Sequence, residues 1–122
     1  MPASFYPRMV NPPFGDPGLY VPFCFEKQAV VFDLGDISLL STRDVLKITH
    51  CFISHTHMDH FIGLDRMLRL MLGRTKKLCL FGPEGFLENL EGKLAGYSWD
   101  LVANYDNHFA LQATEVHPAH LL

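Results

Sequence analysis

Apolar and polar residues follow one another along this chain in patterns that predict a mixed α/β fold. An apolar stripe with members three or four positions apart predicts a helix over 61–72, which Gly73 ends. Short apolar or alternating runs predict five strands. They cover residues 19–25, 28–34, 49–54, 78–81 and 109–116. Strands and helices in this order favour a mixed sheet with flanking helices.

Turn and capping residues set the expected boundaries of these elements. Ser41 and Asp44 fit a capping box, which predicts a short helix to about residue 47. Pro83 is expected near the first position of a helix that runs to about residue 93 or 94. Pro22 cannot donate a hydrogen bond to a neighbouring strand, so we expect the first predicted strand at an edge of the sheet.

The start of the chain differs in composition from the rest. Six of the eight prolines lie in the first 22 residues, and together with Gly15 and Gly18 they exclude a long helix there. We therefore predict an extended, proline-rich arm over 1–18, with a short edge strand, and one domain over 19–122. Residues 99–105 give no clear pattern.

Length and composition narrow the class of protein. A chain of 122 residues is at most one small domain, and 48% hydrophobic residues are enough for a core. The net charge of −3 gives no overall attraction for a polyanion. Cys24, Cys51 and Cys79 lie in apolar runs without a C-x-x-C pair, which predicts buried, reduced thiols in a cytoplasmic protein. No signal peptide or membrane span is inferred.

The segment His55-Thr56-His57-Met58-Asp59-His60 carries the candidate chemistry. Neutral imidazole and carboxylate are standard ligands of Zn²⁺. In an extended stretch alternate side chains share a face, so His55 and His57 can hold one metal ion. Asp59 and His60 then lie at the start of the next helix, where they can face a second ion. The alternative is a polar loop whose histidines make local hydrogen bonds.

The spacing His55-x-His57-x-Asp59-His60 resembles the H-x-H-x-D-H signature of the metallo-β-lactamase superfamily. The surrounding residues resemble its ribonuclease Z-like branch, which includes phosphodiesterases that act on RNA 3′ ends. These context residues are Phe32-Asp33-Leu34-Gly35-Asp36, Ile53-Ser54, Gly63-Leu64-Asp65 and Phe81-Gly82-Pro83-Glu84-Gly85. The resemblance extends over residues 21–116.

This resemblance implies a metal-dependent hydrolase with an αβ/βα sandwich fold, of which the chain is the N-terminal half. It implies two Zn²⁺ ions in the complete protein, with Mn²⁺ as the other candidate. His55, His57, Asp59 and His60 would bind metal, and Asp59 would also orient the nucleophile. The implied partners are RNA, such as a tRNA 3′ end, or a small phosphodiester, with no membrane.

Two other functions remain open at this point. The chain can be a related hydrolase that acts on a thioester, a lactone or a β-lactam. It can also be an inactive fragment that binds metal or a partner. Because later loops carry the remaining ligands of the family, we expect the isolated chain to be inactive. We expect it to form a homo-oligomer or to associate with its missing C-terminal half.

Residues outside the signature have two readings each. By resemblance, Asp33 and Asp36 support the ligands through hydrogen bonds, whereas without it they only cap a turn. A basic cluster follows the helix over 61–72 and either complements the helix dipole or forms a phosphate-binding rim. The candidates for the rim are Arg66, Arg74, Lys76 and Lys77, with Arg69 beside them.

Four further histidines stand apart from the signature. We interpret His50 as structural because it lies at the far end of the strand that leads to the loop. His117 and His120 have an H-x-x-H spacing that occurs in metal sites. By resemblance, however, they precede the next ligand-bearing loop, so we do not assign them, or His108, as ligands.

Overall fold

The computed structural model describes residues 4–98 and 109–118, which form a six-stranded mixed sheet with helices. The strands lie in the sheet in chain order, so each strand pairs with the one that follows it. The first three pair antiparallel and the last four pair parallel. They are β1 (Arg8–Met9), β2 (Leu19–Pro22), β3 (Ala29–Phe32), β4 (Ile48–Phe52), β5 (Lys76–Gly82) and β6 (Phe109–Glu115). The predicted mixed sheet with flanking helices is confirmed.

Among the described residues, four helices lie in the connections between the strands. They are α1 (Thr42–Leu46), α2 (Met58–Phe61), α3 (Gly63–Met71) and α4 (Phe86–Ala95). The Ser41 side chain accepts a hydrogen bond of 3.1 Å from the Asp44 backbone N–H, which confirms the predicted cap of α1. Among the described residues, no helix has the length and apolar character needed to cross a membrane.

The core lies between the helices and one face of the sheet. The predicted apolar stripe packs there, and Met67 and Met71 are fully buried. The same core contains alternate residues of the central strands, including Val31, Cys51 and Leu80. Burial in this core raises the pKa of the Cys51 thiol, so it stays protonated at neutral pH. The sequence pattern therefore identified the main packing surface.

The opposite face of the sheet is apolar but open. Phe32, Phe52 and Phe81 stack across three neighbouring strands, with ring centroids 5.2 and 4.9 Å apart. Phe32 is 44% exposed and Phe52 37%. His50 stacks beside Phe81 on the same face, which places it in the sheet and outside the histidine loop. Within the described residues, no helix or strand covers this aromatic row.

Several local predictions need correction. β2 lies between β1 and β3, so Pro22 does not mark an edge strand. It is the last residue of β2, and its carbonyl accepts a hydrogen bond from the Tyr6 N–H. Pro83 precedes α4 and is not its first residue, because Gly85 caps the helix with a φ of 87°. Cys24 is exposed, since the strand ends before it.

The N-terminal arm contributes β1, which pairs with β2 at the edge of the described sheet. The division of the chain at residue 18 stays a prediction. The segment 99–105, which has no clear sequence pattern, lies outside the described residues.

Candidate metal centre

The histidine loop lies at the carboxyl edge of the parallel strands. β3 ends at Phe32 and β4 at Phe52, and the loop follows β4 directly. The Ile53 N–H donates to the carbonyl of Phe81 at 2.7 Å, which ties the start of the loop to β5. Loops that follow adjacent parallel strands meet at one edge, where α/β proteins place their binding sites.

The loop brings the four predicted residues together. The ring centroids of His55 and His57 are 4.5 Å apart, and those of His55 and His60 are 3.8 Å apart. His60 Nε2 lies 3.6 Å from Asp59 Oδ2. In the part of the chain that the structure describes, no three His, Cys, Asp or Glu side chains are spaced to enclose a metal ion. The rings pack against one another, so metal binding would require their side chains to rotate.

Asp33 joins both ends of the histidine loop. Its Oδ1 accepts hydrogen bonds from the Ser54 backbone N–H at 2.8 Å and from the Ser54 hydroxyl at 2.9 Å. Its Oδ2 lies 3.2 Å from His60 Nδ1. Asp33 is also the one non-glycine residue with positive φ among those described, at 64°. A positive φ at a non-glycine residue costs roughly 1–3 kcal/mol of stability and persists only where surrounding contacts hold it.

These contacts determine which nitrogen of His55 is free. The Ser54 hydroxyl has one proton, which it donates to Asp33, and its oxygen lies 3.0 Å from His55 Nδ1. His55 Nδ1 must therefore be the donor, which leaves a lone pair on Nε2. A carboxylate or hydroxyl that accepts a hydrogen bond from one ring nitrogen of a histidine fixes the ring so that its other nitrogen can bind a metal ion.

His60 meets the same carboxylate from the other side. Its Nδ1 is buried and has no partner in hydrogen-bond geometry, although Asp33 Oδ2 lies 3.2 Å away. A proton on Nδ1 is favoured by that negative charge, and Nε2 is then directed toward Asp59. A set of imidazole nitrogens and a carboxylate suits Zn²⁺, so these residues fit the metal that the sequence resemblance implies.

Asp36 does not reach the histidines in this structure. Its Oδ1 accepts from the Ser38 N–H at 2.8 Å, and its own N–H donates to Asp16. Hydrogen bonds from Ser38, with a smaller contribution from the charge of Arg66, lower the pKa of Asp36. In this structure the Asp36 side chain caps its own turn, and its support of the ligands stays a prediction.

Two glycines allow the turn after β3 to pass beneath the loop. A Cβ on Gly35 would clash with the backbone carbonyl oxygen of Asp59, and a Cβ on Gly63 would clash with that of Gly35. The Gly63 N–H donates a hydrogen bond of 3.0 Å to the Leu34 carbonyl. The Leu34 N–H donates a hydrogen bond of 2.8 Å to the His60 carbonyl. The backbones are thus in direct contact under the histidines.

The structure does not bring most of the proposed phosphate rim to this edge. Lys76 and Lys77 begin β5, whereas Phe81 and Gly82 at its other end adjoin the loop. Five residues of strand separate these ends by about 17 Å. Arg74 follows α3, which leads away from the loop, and its Nε donates to the Leu70 carbonyl at 2.9 Å. Only Arg66 remains near, beside Asp36.

The C-terminal histidine has another partner. His117 Nε2 lies 3.1 Å from Glu115 Oε1, after the end of β6. The Glu115 carboxylate also accepts from the backbone N–H groups of Gly85 and Leu87, so it caps the start of α4. His108 and His120 lie outside the described residues.

Sequence reasoning missed three residues that hold the site. Ser54 directly precedes His55, so its hydroxyl was a visible candidate for a hydrogen bond to that ring. Glu115 and Asn89 gave no signal, because they contact residues about thirty positions away in sequence. A groove of about 600 Å³ lies next to the loop, between α2, α3 and α4, and both Thr56 and Asn89 line it.

Comparison with curated proteins finds relatives named ribonuclease Z. No family model matches the chain. It is 38% identical over 80 residues to the ribonuclease Z of Methanocaldococcus jannaschii, in an alignment of 61% of this chain and 25% of that protein. It is 35% identical over 95 residues to the ribonuclease Z of Thermoplasma acidophilum, covering 72% and 29% of the two chains. The chain thus spans between a quarter and a third of these curated relatives.

Solved structures share the fold. The human tRNase Z, short form, superposes with a TM-score of 0.59 at 21% identity, over 94% of this chain and 44% of that one. A metallo-β-lactamase fold protein of Bacillus subtilis superposes with a TM-score of 0.53 at 14% identity, over 91% and 43%. The sequence relatives support a ribonuclease Z-like protein of the metallo-β-lactamase superfamily, and the solved structures show that the chain shares its fold.

Proposed function

We propose that this chain supplies the metal-binding loop of a metal-dependent phosphodiesterase that processes RNA. The observation that carries the proposal is the grouping of His55, His57 and His60 with Asp59 at the carboxyl edge of the sheet. The hydrogen bonds from Asp33 through Ser54 support it, because they leave His55 Nε2 available as a ligand.

Each residue has a defined part in this proposal. His55 and His57 hold one Zn²⁺ ion, and Asp59 and His60 hold the second, with Mn²⁺ as the alternative metal. When bound, zinc would supply a nucleophile at neutral pH, because it lowers the pKa of a bound water to about 7. The Asp59 side chain is 56% exposed and can therefore orient an incoming water by accepting its proton in a hydrogen bond.

The proposed substrate is an RNA phosphodiester, such as the 3′ side of a tRNA. The support is the set of relatives named ribonuclease Z and the fold of the human tRNase Z. Because the groove beside the loop and Arg66 are the nearby features that could contact RNA, we assign recognition there and not to the distant lysines.

A second candidate is a chain that binds metal but turns nothing over by itself. The aromatic row of Phe32, Phe52 and Phe81 is open, and an exposed apolar sheet face is prone to association. We propose that the isolated chain is inactive and either self-associates or requires a complementary C-terminal part. Light scattering and turnover of bis-p-nitrophenyl phosphate test both statements together.

Metal content of the chain tests the first step. Protein freed of chelators and then equilibrated with Zn²⁺ should bind the ion, and His57→Ala should lower the occupancy. His50→Ala is the matched control, since His50 lies on the open face of the sheet. Equal zinc occupancy in wild type and His57→Ala would remove the basis of the proposal.

RNA cleavage tests the second step. The matching segment of the Methanocaldococcus jannaschii ribonuclease Z can be replaced by this chain, and 3′ trimming of a precursor tRNA measured. Activity that is lost on His57→Ala and kept on His50→Ala supports an RNA phosphodiesterase. A folded, zinc-loaded chimaera that hydrolyses a lactone or a thioester but not RNA would favour the other hydrolases of the superfamily.

A further inference from the structure

The side of the histidine loop away from Asp33 is held by α4. Thr56 lies between His55 and His57 in sequence, and its Oγ1 accepts a hydrogen bond of 2.6 Å from Asn89 Nδ2. Asn89 is exposed in the middle of α4, on the wall of the groove. The bond joins two segments 33 positions apart and lies outside any helix or strand pairing. It therefore contributes nothing to the local structure of α4 itself.

α4 is a firm support for this contact. Its residues Phe86 and Leu90 are buried in the core, and the ring of Phe86 lies 5.6 Å from that of Phe61 in α2. The Glu115 carboxylate accepts from the N–H groups of Gly85 and Leu87, which fixes the start of the helix. Asn89 thus projects from a helix that is anchored at both its buried face and its N-terminus.

The loop itself has few other ties. Residues 53–57 belong to no helix or strand, and His57, the N-cap of α2, makes no side-chain capping hydrogen bond. Among the described residues, two side-chain hydrogen bonds hold positions 55–57: the contact of His55 with Ser54 and that of Thr56 with Asn89. The first acts on one ring, and the second acts on the side chain of Thr56, the residue between both histidines.

We propose that Asn89 is a positioning residue for His55 and His57, acting through the hydroxyl of Thr56. Its hydrogen bond sets the path of the loop between the two rings and lowers the cost of bringing them to one metal ion. This inference rests on the proposed metal-binding function. It assigns no contact between Asn89 and the metal or the substrate.

The chemistry of the pair provides matched variants. Asn89→Leu removes the donor, and Thr56→Val removes the acceptor at nearly constant shape. Asn89→Asp keeps the link, because the Thr56 hydroxyl can donate to the new carboxylate. Glu91→Leu is the control for a polar-to-leucine change on the exposed side of the same helix.

The test measures Co²⁺ affinity of the full chain by its visible absorption and by competition with a chelator. Losing one hydrogen bond at this position should weaken the affinity about 2- to 10-fold for Asn89→Leu and for Thr56→Val. The double variant should be no weaker than either single one, since both remove the same link. Asn89→Asp and Glu91→Leu should stay near wild type.

A second measurement does not depend on metal. In the metal-free chain, Asn89→Leu should shift and broaden the NMR ring signals of His55 and His57, while the His50 signals and the urea midpoint stay constant. If wild type binds Co²⁺ and Asn89→Leu changes neither affinity nor ring signals, the positioning role is wrong and the metal proposal stands. If wild type binds no Co²⁺, the metal proposal fails, and this inference fails with it.

Discussion

The two ends of the parallel strands carry polar residues of different kinds. At the carboxyl end, Asp33, Ser54, His55 and His60 are joined in one network of contacts within about 3 Å of each other. At the amino end, Arg74 bonds its own helix and Lys76 and Lys77 lie exposed at the start of β5. Shared contacts, and not the density of charge in the sequence, distinguish a candidate site from a solvated surface.

The largest expected effect comes from the centre of that network. Asp33→Asn keeps a residue type that tolerates positive φ but removes the charge that faces His60 and accepts from Ser54. Loss of such a supporting partner typically costs 10- to 100-fold in metal affinity, so we expect about that decrease in Zn²⁺ affinity. Chelator competition measures it, and a change below twofold would contradict the network.

Backbone contact under the histidines gives the next effect. Gly63→Ala forces a Cβ onto the carbonyl oxygen of Gly35 and should destabilise the chain by about 1–3 kcal/mol. Gly92→Ala is the matched control, since a Cβ there meets nothing within 4 Å. In the middle of α4 that change should stabilise by about 0.5–1 kcal/mol. Urea unfolding of both variants measures the difference, and equal stabilities would mean that the turn is not tightly packed.

Charge reversal at the two ends sharpens the comparison further. Arg66→Glu lies near Asp36 and the loop, whereas Lys76→Glu lies at the far end of β5. Each phosphate contact that is lost lowers the slope of log affinity against log salt by about 1. We expect that decrease in RNA binding for Arg66→Glu and no change for Lys76→Glu. The reverse order would restore the lysines as a phosphate rim.

The smallest effect concerns the ion pair on the groove. Lys93 Nζ lies 2.9 Å from Asp65, and the Tyr97 hydroxyl donates to the same carboxylate at 2.7 Å. Burial acts to raise the pKa of Asp65, but these two partners outweigh it and the pKa is lowered. The contribution of Asp65 to stability is therefore complete above its ordinary pKa of 3.8 and is lost as the pH falls through the lowered value.

This dependence can be measured against Asp65→Asn. The difference in unfolding free energy between wild type and variant should be largest at neutral pH and should shrink below about pH 4. The control is Glu91→Gln, which removes an exposed carboxylate of α4 outside the groove. A difference that does not vary with pH would mean that the ion pair adds nothing to stability.

The sequence identified the parts of the fold that depend on local pattern. The stripe over 61–72 and the alternation over 109–116 correspond to α3 and β6, because their periods match the buried faces. It did not separate α2 from α3, since the break at Ile62 depends on the contact of Gly63 with Gly35. That contact joins residues far apart in sequence, and no local period contains it.

The candidate site divides in the same way. The four residues of the signature are close in sequence, so their grouping followed from spacing alone. Asp33 was reached through the resemblance, and the bonds of Asn89 and Glu115 depend on how α4 packs beside the loop. The rim of Arg74, Lys76 and Lys77 was inferred from proximity in sequence, and the structure places these residues away from the loop because α3 and β5 point in opposite directions. Their binding of phosphate stays a prediction.

Zinc X-ray absorption of the loaded chain tests the central claim most directly. If His55, His57, Asp59 and His60 hold the metal, the spectrum should show nitrogen and oxygen ligands at about 2.0–2.1 Å with the scattering pattern of imidazole. His57→Ala should reduce the imidazole contribution, and His50→Ala should leave it unchanged. A spectrum of water ligands alone, of thiolate at about 2.3 Å, or one that His57→Ala does not alter would contradict the account.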